Sequence, residues 1–160
     1  ADGELILMSD ADLSTPIEEL AKLEDALKKG FDIAIGSRRA EGAKIVKHQP
    51  WLREHIGIAF GILTGLIVRT GFKDTQCGFK LFRHQVSKKI FPLKTAKGLP
   101  FDLEVLALAM RMGFRIVEVP VIWRDEEGSK VRPIAHLPRV ILEVLKIRWN
   151  LWRRRDLAKG

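Results

Sequence analysis

Leu5-Ile6-Leu7-Met8-Ser9-Asp10-Ala11-Asp12-Leu13-Ser14-Thr15-Pro16 sets four consecutive apolar residues before two carboxylates one residue apart. A continuous apolar run of this length reads as a strand buried on both faces of a parallel sheet, because a strand with one wet face would alternate. Sheets of α/β proteins bind ligands beyond the carboxyl ends of their strands, which is where Asp10 and Asp12 fall. Two carboxylates leaving one strand can approach a single hard cation. Mg2+ or Mn2+ held in that way keeps positions open for the oxygens of a diphosphate. The plainer alternative is a loop with a capping aspartate.

Working outward, Ser14, Thr15, Pro16 and Glu18 read as a helix start with a hydroxyl cap, an early proline and acidic charge in the first turn. Ile17, Leu20, Leu23 and Leu27 supply its buried stripe, and Gly30 ends it. Residues 31–35 read as a second strand, completing a strand-helix-strand unit of the length a parallel crossover needs. The polar stretch to His48 reads as a mobile loop. Residues 51–70 carry a long helical pattern ended by Gly71, and its apolar part, 56–68, is too short to span a bilayer. Phe79, Leu81 and Phe82 predict a short strand, residues 86–91 a short helix and residues 101–112 an amphipathic helix closed by Gly113. Residues 116–123 are rich in β-branched side chains, and Pro120 among them marks a sheet edge or an irregular strand end. A last helix is expected over 138–155. The pattern as a whole is α/β.

The formal charge is +8 and the sequence pI is near 9.9, so anionic partners are favoured: phosphates, acidic lipid or nucleic acid. Within 131–160, eight basic residues stand against Glu143 and Asp156, which makes that segment the basic element. A nucleic-acid partner accounts for this charge but not for the strand-end aspartates. Cys77 is the single cysteine, so no internal disulfide forms, and no cysteine-histidine cluster has zinc-ligand spacing. The opening residues Ala1-Asp2-Gly3-Glu4 lack the basic stretch and apolar core of a secretory leader.

Four further groups carry chemistry. Arg38, in Gly36-Ser37-Arg38-Arg39 after the second strand, is placed to grip a phosphate on the rim that holds Asp10 and Asp12, unless the tetrapeptide is a solvated turn. Asp74 and Gln76 precede Gly78, a position that allows close backbone approach; alone this is a polar turn. Asp102 and Glu104 open a helix, where the macrodipole favours negative charge, and either could instead position or deprotonate an acceptor. Gly128-Ser129-Lys130 makes a loop with one cation at its tip, able to close over a phosphate or merely to turn.

In this order the stretches SDADLSTP (9–16), GSR (36–38), DTQCGFKLF (74–82), FDLE (101–104) and EVPVIW followed by GSK (118–130) resemble the family 2 glycosyltransferases. Within them they are similar to the dolichyl-phosphate β-glucosyltransferase and dolichyl-phosphate mannosyltransferase branch, with DTQCGFKLF closest to the glucosyltransferase side. The resemblance implies the C-terminal part of a GT-A fold, a mixed and mostly parallel sheet flanked by helices, with interfacial amphipathic helices. Residues 1–132 would form the partial catalytic domain and residues 133–160 a basic helix packed on it or on a membrane surface.

It further implies an inverting transfer of a hexose, glucose favoured, from a nucleotide sugar to a polyprenyl or dolichyl phosphate, with mannosyl transfer or a non-catalytic membrane-associated fragment as alternatives. Asp10 and Asp12 would form the motif for Mg2+ or Mn2+, with Ser14 where mannosyltransferases often carry a glutamine ligand. Arg38 and Arg53 would hold the lipid phosphate, and Arg124, Ser129 and Lys130 would form the closing loop. Asp12, Arg38 and Asp102 would be the catalytic set, Asp102 in a positioning role, with Asp74 and Gln76 in the substrate site. The partners implied are a nucleotide sugar, a polyprenyl phosphate and an anionic membrane surface on its cytoplasmic face, with the protein peripheral. Family members carry an upstream βαβ region for the nucleotide base, so weak or no turnover is expected of the 160-residue chain alone.

Overall fold

Side-chain alternation along four short strands accounts for most of the architecture. The computed structural model describes residues 2–96, 98, 100–125 and 133–154. In chain order its elements are β1 (Leu5–Met8), α1 (Leu20–Lys28) after a 3-10 turn at Ile17–Glu19, β2 (Ile33–Ser37), β3 (Lys44–Lys47), α2 (Trp51–Val68) and β4 (Lys80–Arg83). There follow α3 (His84–Ile90), α4 (Phe101–Arg111), β5 (Ile116–Pro120), β6 (Ile122–Arg124) and α5 (Pro133–Arg153). Leu5, Leu7, Ala34, Leu81, Val117 and Val119 cluster with Leu23, Ala26 and Leu27 of α1 on one face of the sheet. Ile6, Met8, Ile33, Ile35, Phe82 and Ile116 cluster on the other with α3, α4 and α5, through Val86, Ile90, Leu106, Val144 and Ile147. Alternate residues of each strand thus reach opposite helical layers, as a two-sided sheet requires.

The sheet order is β1-β4-β2-β5. β4 runs antiparallel to both β1 and β2, while β2 runs parallel to β5. Three of the four strands therefore share a direction, yet most of the ladders are antiparallel, so "mostly parallel" holds for direction and not for pairing. The expectation for β1 needs correcting: all four of its residues are only half-buried, because β4 inserts between β1 and β2 and leaves β1 at the sheet edge.

Four boundaries also differ. The polar stretch before His48 contains β3, which pairs in parallel with β6; its exposed lysines conceal a strand on a two-stranded ribbon. Ser14 and Thr15 do not cap α1. They are buried, no side chain caps the turn at Ile17–Glu19, and Ile17 is exposed instead of joining the buried stripe. The chain leaves α2 through Arg69, in the left-handed region at φ 61°, with its N–H on Gly65 O, two residues before the expected Gly71. α5 begins at Pro133, not at 138, and tolerates Pro138 inside it at the loss of one backbone hydrogen bond. Pro120 behaves as expected, ending the edge strand β5.

This topology creates the functional rim. β1 and β2 end at it with Met8 and Ser37, and β4, running the other way, begins there, since Met8 and Ile35 both lie opposite Lys80. The segments 9–15, 38–40 and 74–79 therefore emerge side by side although they lie up to some 60 residues apart in sequence.

Candidate active site

A pocket of about 580 Å³ opens at this rim. Asp10, Asp12 and Asp102 line it together with Arg38, Arg39, Gln76, Cys77, Glu54, Asp125 and Trp123. Asp10 and Asp12 leave β1 in a tight turn: the Leu13 N–H donates to Asp10 O at 3.2 Å, Leu13 takes φ 53°, and the Ser14 N–H donates to Asp12 Oδ1 at 3.1 Å. Leu13 is apolar and exposed, so nothing in its own side chain explains a left-handed backbone; the turn is what it serves. Burial and the neighbouring Asp12 charge raise the Asp10 carboxyl above its usual range, with Asp102 adding to the effect and Lys80 and Arg38 opposing it.

In the same pocket, Arg38 is held by a fork. Its Nε and Nη2 donate to the two carboxylate oxygens of Asp74 at 2.7 and 2.8 Å, and its backbone N–H reaches Asp74 Oδ2 at 3.1 Å. The guanidinium also lies 5.3 Å from the centre of the Trp123 ring. Asp74 is 2% exposed. Burial alone would raise its carboxyl, but the Arg38 hydrogen bonds and charge reverse this and bring it down to about 2. Glu118 of β5 braces the same segment from behind, accepting from the Lys73 and Asp74 N–H groups at 2.9 Å each. Asp74 is thus a buried support for Arg38, while Gln76 faces the pocket.

Arg39 was not singled out in the sequence. It lines the pocket, donates to Lys73 O at 2.9 Å, and among the described residues no carboxylate lies within ion-pair distance of it. Burial lowers its pKa, as does Arg38, against the pull of Asp74. Lys80, also missed, is fully buried and donates to Asp102 Oδ1 at 2.7 Å and to the Cys77 carbonyl. Burial also pushes the Cys77 thiol up, so it sits in the pocket wall as a neutral thiol.

Residues 1–91 match the profile described as Glycosyl transferase family 2, more than half of the chain. The chain belongs to glycosyl transferase family 2. Among relatives of this family 2 chain, a dolichyl-phosphate beta-glucosyltransferase of Trichomonas vaginalis is 35% identical, over 98% of this chain and 50% of that protein. Another, of Dictyostelium discoideum, is 33% identical over 92% of this chain and 47% of that protein. The chain therefore spans about half the length of these relatives. Among solved structures, glucosyl-3-phosphoglycerate synthase of Mycobacterium tuberculosis in complex with Mn2+ and UDP-glucose shares the fold, with a TM-score of 0.61 at 14% identity, over 92% of this chain and 50% of that one. The same synthase in complex with UDP superposes with a TM-score of 0.63.

Of the residues expected in the site of this family 2 chain, Asp10, Asp12, Arg38, Gln76 and Asp102 meet at the pocket. Asp74 stands behind it. Arg124 is exposed and outside the pocket lining; its backbone N–H donates to Ser14 O at 3.0 Å, tying β6 to the aspartate turn. Ser129 and Lys130 lie outside the described residues, and so does the side chain of Arg53. Glu104, weighed beside Asp102, turns away: it is buried and accepts from Thr95 N, Thr95 Oγ1 and Ala96 N at 2.8, 2.8 and 2.6 Å. Glu104→Gln, which offers N–H groups to donors, is expected to lower stability by about 2 kcal/mol in urea unfolding, given the usual cost of losing buried hydrogen bonds to a charged acceptor.

Proposed function

We propose that the chain forms the catalytic centre of an inverting glycosyltransferase that moves a hexose, glucose favoured, from a nucleotide sugar to a polyprenyl or dolichyl phosphate. The observation that carries this reading is the meeting of Asp10, Asp12 and Asp102 with Arg38 and Arg39 around one pocket. Carboxylates and guanidiniums lining one pocket suit two anionic substrates, one bound through a cation at its diphosphate and one held directly.

The residues fit such a cation by donor chemistry. Carboxylate oxygens are hard ligands, and Mg2+ or Mn2+ needs only one or two of them beside substrate phosphates. Among the described residues no group of three acidic, histidine or cysteine ligands gathers, so Asp10 and Asp12 would leave the other positions to the diphosphate and water. Burial raises the Asp10 carboxyl most, and the repulsion from Asp12 that adds to it is the kind a cation removes. When bound, the ion would absorb the negative charge growing on the departing diphosphate.

In the proposed reaction a phosphate oxygen of the acceptor attacks the anomeric carbon from the face opposite the nucleotide. The new carbon–oxygen bond forms as the bond to the diphosphate breaks, its electron pair leaves with the nucleoside diphosphate, and the configuration inverts. An acceptor dianion has no proton to lose, so no strong base is needed, and positioning with charge neutralisation carries the rate. Arg38 Nη1 carries no hydrogen bond among the described residues, so that edge of the braced guanidinium is free for a phosphate, beside Arg39.

The outer surface supports a peripheral place at the cytoplasmic face of a membrane. α2 packs along α5. α2 leaves Trp51, Leu52, Ile62, Leu63 and Leu66 exposed, and α5 does the same with Leu142, Leu145, Trp149 and Trp152. The α5 set recurs at helical spacing opposite the buried Val140, Val144, Ile147 and Leu151, and Lys146, Arg148 and Arg153 stand among it. Apolar and basic side chains mixed on one helix suit an anionic lipid interface. No helix of the described residues is long and apolar enough to cross a membrane. In this reading residues 1–132 are the catalytic part and 133–160 the basic helix.

The test incubates the complete translation product with labelled UDP-glucose or GDP-mannose, a polyprenyl phosphate and Mn2+, and follows label into organic solvent. Glucose label is expected there and is expected to vanish with chelator; mannose label would shift the donor assignment, and no label from either donor would sink the reading.

A further inference from the structure

Lys80 is a fully buried charged group that the proposed reaction does not use. Its side chain is 0% exposed, in a strand paired on both sides. β4 alternates, so Leu81 faces α1 while Lys80 and Phe82 face the α4 layer. Burying an ammonium there is unfavourable compared with an apolar side chain of equal volume. Two hydrogen bonds hold it in place: one to Asp102 Oδ1 at 2.7 Å in the first turn of α4, the other to the carbonyl of Cys77. Asp102, in contrast, is 22% exposed and lines the pocket, and its Oδ2 has no hydrogen-bond partner among the described residues.

We infer that Lys80 is a positioning residue: it fixes the orientation of the Asp102 carboxylate, whose second oxygen accepts a hydrogen bond from a hydroxyl of the transferred sugar. The chemistry of the partner follows from the charge. An ionised carboxylate only accepts hydrogen bonds. The donor diphosphate and a dianionic acceptor phosphate also only accept, and both are repelled by it. Of the groups that enter this pocket in the proposed reaction, the hydroxyls of the transferred sugar and the donors of the nucleoside remain, and the comparison with UDP, which keeps the nucleoside and lacks the sugar, separates them. The inference therefore rests on the nucleotide-sugar reading and assigns Asp102 to the sugar, not to the acceptor. Without the ammonium, Asp102 would share the pocket with Asp10 and Asp12 uncompensated and would lose the contact that sets its orientation.

Binding of UDP-glucose is compared with binding of UDP, which lacks the sugar, both with Mn2+ and by calorimetry on the complete translation product. Lys80→Met is expected to weaken UDP-glucose about tenfold, the scale of one charge-assisted hydrogen bond, and to leave UDP within about twofold. Asp102→Asn is expected to do the same, and the double variant to be no weaker than either single one, since both remove one interaction. Lys80→Gln, which keeps a donor for the Cys77 carbonyl, is read in the same way should the methionine variant unfold. A purely structural role would move both ligands together. Loss of the sugar preference in Asp102→Asn but not in either Lys80 variant overturns the assignment of Lys80, as do additive effects in the double variant. Unchanged preference in Asp102→Asn, or a wild type that prefers UDP-glucose no more than UDP, overturns the inference as a whole. A wild type that binds neither nucleotide overturns the nucleotide-sugar reading beneath it.

Discussion

Asp74→Ala is expected to destabilise the protein by about 3–5 kcal/mol, the usual cost of breaking a buried ion pair from one side. The alanine would leave the Arg38 guanidinium without the two side-chain hydrogen bonds that hold it, in a place where water does not easily replace them. It would also free the turn at 74–76, where the Gln76 N–H donates to Asp74 Oδ1 at 3.2 Å. Urea unfolding checks this, and a change below about 1 kcal/mol would place the Arg38–Asp74 pair among the weak surface bridges. pH gives a second measurement. The Asp74 carboxyl sits near 2 in the folded protein, below its ordinary value of about 3.9 when unfolded, so the unfolded state takes up its proton first as pH falls. The stability it supplies is therefore complete above about pH 4 and is lost as pH drops towards 2. The difference between wild type and Asp74→Asn is expected to shrink across that window and to stay flat from pH 5 to 8.

Which parts of this site are legible in sequence follows from which interactions are local. A run of four apolar residues ending on Asp10 and Asp12 declares a strand and its end, because one strand and one turn set both. Arg38 is legible for the same reason. The fork that aims Arg38 comes from Asp74, 36 residues away, and the two meet only because β4 inserts between β1 and β2 in the opposite direction. Local pattern carries no information about that insertion, so Asp74 reads as a polar turn that meets substrate when it is a buried support. β3 escaped because two of its four residues are lysines, and a two-stranded ribbon with β6 asks little apolar surface of it. Lys80 escaped because a lysine heading an apolar strand looks like a strand end; its burial depends on α4 bringing Asp102 over it.

Gly78→Ala is expected to lower sugar transfer about a hundredfold, the scale set by displacing a reacting or ligating group by an ångström, while the fold is largely kept. An ideal Cβ on Gly78 would fall 2.1 Å from Asp10 Cγ and Oδ1 and 2.2 Å from Oδ2, so the glycine gives the carboxylate the space it occupies. Gly78 is not in the left-handed region, and alanine suits its backbone. The strain therefore falls on the Asp10 side chain, which can swing aside at modest cost to stability but not while keeping its place beside Asp12. That separates the substitution from Asp12→Ala. A displaced carboxylate still binds a cation, more weakly, so raising Mn2+ is expected to recover part of the activity of Gly78→Ala and none of that of Asp12→Ala. Wild-type transfer by Gly78→Ala at low Mn2+ would mean that Asp10 does not need its observed position, and the cation would then rest on Asp12 alone.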